Sequence, residues 1–125
     1  MNTRHGYLPP AWPRQVGHPD DEHFARRALA WLLDLAPAQY RDHTVLRAQP
    51  LALARLTTHS LAARGRGAEV TISRLRDELT DALPTSALDE VFDVLAAERE
   101  HCRLALVQVR LVEHVLRGGD FTEPL

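Results

Sequence analysis

"LDEVFDVLAAEREHCRLALVQVRLVEHVL", residues 88–116, decides the fold. Leu88, Leu95, Cys102, Val109 and Leu116 recur at every seventh position, and all five are apolar. A stripe of that period runs along one side of an α-helix and asks for a partner helix, as in a coiled coil. No proline or glycine interrupts the stretch, so a helix is expected over 86–117, stopped by Gly118 and Gly119. Immediately upstream, "LPTSALDE" at 83–90 carries a stop and a start: Pro84 ends one helix, and Ser86 with Asp89 has the spacing of a capping box for the next.

Working backward, Leu61, Ala68, Leu75 and Ala82 repeat the same seven-residue period, with Ile72 and Leu79 on the same side. They predict a helix over 51–82 that opens beside Pro50, a residue tolerated in a first turn. Folding the two helices together about residue 85 sets Leu75 against Leu95, Ala68 against Cys102 and Leu61 against Val109. The weak point is "RGRG" at 64–67. Two helix-interior glycines cost about 2 kcal/mol relative to alanine, so a kink or a break is expected there, and the seam's continuation across it favours the kink.

A shorter helix is expected over 20–35. Asp20, Asp21 and Glu22 put negative charge at its start, Phe24, Ala28, Trp31, Leu32 and Leu35 form its apolar face, and Pro37 ends it. Residues 38–49 read as a connector with one helical turn, anchored by Tyr40, Val45 and Leu46. Four of the eight prolines lie in residues 9–19, so residues 1–19 are expected to be extended, with two readings open: Tyr7, Leu8 and Trp12 form an apolar strap over the helices, or the segment is a loose tail. Residues 118–125 are a C-terminal tail. The expected fold is all-α: a short first helix on the base of a long antiparallel helical hairpin, a three-helix bundle at one end and an acidic two-helix end at the other. Between residues 68 and 100 nine acids face only Arg74, Arg76 and Arg99.

Composition limits the function classes. The chain has 125 residues, enough for one domain, and its 45% hydrophobic and 26% charged residues are ordinary globular values. A net charge of −2 gives no general pull toward nucleic acid or an anionic membrane. All fifteen basic residues are arginine. The one cysteine excludes an internal disulfide and paired-cysteine zinc sites, and it suits a reducing compartment. With no secretory-type apolar segment and no long apolar run, the expectation is a cytoplasmic protein outside the membrane.

"EREHCRL" at 98–104 concentrates two carboxylates, an imidazole and the thiol, and is the one stretch that suggests chemistry. Glu98 and His101 have the spacing of half a bundle metal site, with Glu69 a third ligand across the hairpin, but such sites need more inward carboxylates. Cys102 continues the apolar heptad between acids, which suits an inert core thiol rather than a nucleophile. The sequence therefore implies no catalytic residue, cofactor or metal. If "RGRG" broke the second helix, "TISRLRDEL" could serve a helix-turn-helix-like unit through Arg74 and Arg76, but Asp77, Glu78 and Asp81 oppose phosphate, so nucleic acid is disfavoured. What remains is surface. Arg103, Arg110 and Arg117 form a seven-residue stripe with His114 beside them, and Val70, Val91, Phe92 and Val94 cannot all point into one two-helix seam near the turn, Phe92 being the largest of them.

The segments "AWLLDLAPAQYR", "HTVLRAQPLALARL" and "HVLRGGDF", with the entry "LPPAWP", resemble a group of small uncharacterised helical proteins of actinobacteria. The resemblance implies an all-α cytoplasmic protein and carries over no catalytic residue. The leading expectation is a non-enzymatic protein-interaction or regulatory adaptor that binds a protein partner, with a homodimer one form of it. The alternatives are a DNA-associated regulator and a metal-binding bundle.

Overall fold

The structure, a computed structural model, describes residues 6–124. The expected extended segment before residue 6, and the last residue of the tail, lie outside the described residues. Four α-helices follow one another among the described residues: α1 (Phe24–Leu35), α2 (Thr44–Ala48), α3 (Pro50–Leu79) and α4 (Thr85–Leu116). No strand occurs among the described residues, and α3 and α4 pack closely as a hairpin. The fold is all-α, as the heptads require.

Several boundaries differ from the sequence expectation, each for a local reason. α1 starts at Phe24 instead of residue 20. The Asp21 carboxylate accepts the His23 backbone N–H at 2.7 Å, and the His18 ring accepts that of Asp20 at 3.1 Å. These short-range bonds hold the acidic run in turns and so compete with the helix. α4 starts at Thr85, and the Pro84 carbonyl accepts the Leu88 N–H at 3.1 Å. Ser86 is therefore inside the first turn, not at the cap that the Ser86 and Asp89 spacing suggested. α3 ends at Leu79, short of the expected residue 82, and Ala82 is exposed outside it, while the helix is unbroken through Arg64–Gly67, as the continuing seam implied. In the connector, Tyr40 and Leu46 are half-buried, whereas Val45, expected to be an anchor, is 65% exposed.

The chain divides into two compact units. The terminal unit holds the residues up to Ser60 and those from Val107 onward, and the turn unit holds Leu61–Leu106. α3 and α4 contribute to both.

In the terminal unit the core is made by Ala28, Leu32, Leu53, Ala54, Thr57, Val109 and Val112, all without exposed surface. Each lies on the apolar stripe of α1, α3 or α4, so three helices bury their faces together. The N-terminal strap is ordered and part of this core. Trp12 and Val16 are buried, and the Trp12 indole N–H donates to the Gly17 carbonyl at 2.9 Å. Its ring stacks on Phe24 with centroids 6.3 Å apart and meets Phe121 edge-on at 5.9 Å. The Gln108 side-chain amide donates to the Ala11 carbonyl at 3.1 Å, which fastens the strap to α4. Tyr7 and Leu8 are half-buried. Gly118, at φ 92°, ends α4 in the left-handed conformation that glycine adopts without strain.

Candidate functional site

The turn unit is a two-helix seam whose burial changes along its length. At one end Leu61, Ala68, Cys102 and Ala105 are buried. Gly65 lies beside Cys102: a Cβ placed on it would be 3.6 Å from the Cys102 Cβ. Gly65 therefore lets α3 come close to α4 at the level of Cys102. Cys102 itself is 2% exposed, and burial pushes its thiol pKa up, opposed by Arg64 and reinforced by Glu98. A thiol in that setting is poorly ionised and a weak nucleophile.

Toward the turn, Ile72, Leu75, Leu79, Val91, Phe92 and Leu95 are only half-buried, and Leu88 alone is fully covered. Two helices can cover the inner edge of such a stripe but not its flanks. Val94 extends the apolar surface outward, at 69% exposure, whereas Val70, 52% exposed, lies on the outer side of α3.

The charged residues of "EREHCRL" are spent on structure. The Arg64 guanidinium donates to both Glu98 oxygens at 3.0 and 3.1 Å, a two-point bond across the hairpin. Arg103 donates to Glu100 at 3.0 and 3.1 Å, and that bond holds the Glu100 carboxyl below its usual range. Arg99 lies 4.0 Å from Glu69, and His101 is exposed. Glu69 and Glu98 thus serve different arginines and do not converge with His101. No group of three or more His, Cys, Asp or Glu side chains among the described residues is placed to hold a metal ion.

The residues singled out as an interaction surface have distinct environments. Phe92 is half-buried, with the Arg76 guanidinium 4.9 Å from its ring centroid, so the seam's largest open aromatic is partly capped by a cation. Arg103 is exposed but held by Glu100. In the terminal unit, Arg117 donates to Glu113 at 2.9 Å, and the His114 ring lies 2.8 Å from the Asp120 carbonyl and 5.0 Å from the Phe121 ring. Arg110 is exposed and without an ion pair among the described residues. The heptad stripe of arginines is therefore not one free basic surface.

Sequence reasoning missed two polar features. Arg64–Glu98 was visible in principle, because Glu98 falls three residues after Leu95, on the seam itself, where an acid demands a partner. Glu113 is the other: its side chain is 12% exposed and accepts Arg55 at 3.1 Å as well as Arg117. Burial raises its carboxyl pKa, but the bonds from Arg117 and Arg55 outweigh that and hold it below the ordinary value. The terminal unit also has an open groove of ≈ 440 Å³ lined by Gln15, Arg27, Ala30, Trp31, Asp34 and Leu35, in which Arg27 already lies 3.5 Å from Asp21.

No helix among the described residues is long and apolar enough to cross a membrane. No protein-family model, curated protein or solved structure matches the chain.

Proposed function

We propose that this chain is a non-enzymatic protein-interaction module, an adaptor or regulatory protein, whose working surface is the open half of the turn unit. One observation carries the reading: the heptad seam is covered between Leu61 and Ala68 and left half-open from Ile72 to Leu95. A helix pair that exposes a continuous apolar stripe at one end has unused binding energy there, about 1.5–3 kcal/mol for each large side chain that a partner buries. The continuous α3 removes the separate short helix on which a helix-turn-helix reading depends. A buried, unpaired thiol suits a reducing compartment, and the module is read as cytoplasmic.

The test is affinity capture with the tagged full-length protein from its native cells, comparing wild type with Phe92→Asp and Val94→Asp. Far-ultraviolet circular dichroism first establishes that each variant folds. The reading requires at least one captured protein to be lost with one of these variants. If folded Phe92→Asp and Val94→Asp retain every protein that wild type retains, the half-open seam is not an interaction surface.

A further inference from the structure

We infer that one flank of the turn unit's seam, around Thr71, Val91 and Val94, receives a single basic amphipathic helix from a partner protein, completing a three-helix bundle there. The inference rests on the interaction-module reading and specifies the partner's chemistry. A two-helix seam has two flanks, and here they differ. One carries Arg76 over the Phe92 ring and Arg99 beside Glu69. Both contacts run between α3 and α4 on that flank, and Arg99 and Glu69 offset each other's charge. At 100° per residue, Thr71 on α3 and Val91 and Val94 on α4 fall on the other flank. Val94 stands 69% exposed there. The Arg64–Glu98 bond closes that flank at the buried end of the seam. From Glu98 to the start of α4 at Thr85 the open length is about 20 Å, which accommodates roughly four helical turns.

Charge decides the occupant. Of the nine acids between residues 68 and 100, Glu69, Glu98 and Glu100 are bonded to arginines. Asp77, Glu78, Asp81, Asp89, Glu90 and Asp93 have no ion pair among the described residues, and Arg74 is the one arginine in that span similarly unengaged. Glu78 and Glu90 border the open flank by the same helical geometry, with Arg74 beside them. An apolar groove edged by unmatched carboxylates selects an amphipathic helix with arginine or lysine beside its apolar stripe. A second copy is a poorer fit, because its turn unit carries the same acids and, of its arginine stripe, Arg103 and Arg117 already hold Glu100 and Glu113, which leaves Arg110 alone without an ion pair among the described residues.

The test uses the full-length protein and a synthetic two-heptad peptide with leucine on its apolar stripe and lysine on both edges, labelled for fluorescence anisotropy. A second peptide replaces every lysine with glutamate. Wild type and Val70→Asp, whose substitution lies on the outer side of α3, should bind the lysine peptide equally. Val94→Asp should weaken it by about tenfold or more, and the glutamate peptide should not bind. Val94→Asp adds negative charge, so diffuse electrostatic attraction predicts the opposite change. The inference is overturned if the lysine peptide does not bind wild type, if Val94→Asp binds it as wild type does, or if the glutamate peptide binds equally well. Sedimentation showing a wild-type dimer that Val94→Asp dissociates would assign the flank to a second copy and also overturn it. Loss of a captured cellular protein on Val94→Asp without binding of the lysine peptide would leave the interaction module standing and refute only the basic helix.

Discussion

Glu113→Gln should destabilise the protein by about 1–2 kcal/mol at neutral pH, and that cost should shrink as the solution is acidified. The glutamate is 12% exposed and accepts charge-assisted bonds from Arg55 at 3.1 Å and Arg117 at 2.9 Å. Such bonds contribute about 1.5–3 kcal/mol each, against about 0.5–1.5 for neutral ones, so glutamine forfeits roughly 1 kcal/mol per bond and turns an amide N–H₂ toward a guanidinium. The arginines are 44% and 55% exposed and recover hydration, which reduces the total. The pH dependence has a definite sign. The folded-state carboxyl pKa lies below its unfolded value, so the ionised form's contribution is complete above the unfolded value, about 4.3, and disappears as pH falls through the folded one. Urea denaturation of both proteins at pH 7 and in steps below pH 5 isolates this group, because other carboxylates titrate in both. A difference under about 0.3 kcal/mol at pH 7, or one that persists unchanged through the acid range, would refute the reasoning.

Three further outcomes follow from the packing. Leu61→Ala, at a fully buried position, should cost about 3 kcal/mol, whereas Leu95→Ala, half-buried, should cost about 1; equal losses in denaturant melts would contradict the gradient along the seam. Gly65→Ala and Gly67→Ala should each raise stability by about 0.5–1 kcal/mol, because a Cβ meets only an ordinary contact at Gly65 and open space at Gly67; a lower melting temperature for either would show a backbone need not visible in the structure. Native protein should react with a thiol reagent far more slowly than urea-unfolded protein, and equal rates would remove Cys102 from the core.

Heptad periodicity made the hairpin legible because it reports which side of a helix is apolar, a property that survives any error in end points. Leu61, Ala68, Leu88, Cys102 and Val109 are buried as their spacing demands. The ends were less legible where side chains bond to nearby backbone. Nothing in "DDEH" distinguishes a first helical turn from the turn that Asp21 makes with the His23 N–H. Trp12 illustrates a different limit. Its aromaticity marked it as a strap residue, but its stacking on Phe24 and edge contact with Phe121 bring together three distant parts of the chain. The candidate surface was the hardest to read. Phe92 and the α4 arginines stood out by type and spacing, yet Arg76, Glu100 and Glu113 had already engaged Phe92, Arg103 and Arg117. Val94 was legible as one of the open positions near the turn, but its greater exposure was not, because it is small and lies one residue off the heptad. A period gives the direction of a side chain but not the number of neighbours it meets. That number depends on how many helices reach each level. Two helices leave Leu75 and Leu95 half-covered even though both occupy perfect seam positions. The seam here is longer than the structure that covers it, so the proposed interaction reading directs the search for a partner to the level of Val94 rather than to an irregularity in the sequence.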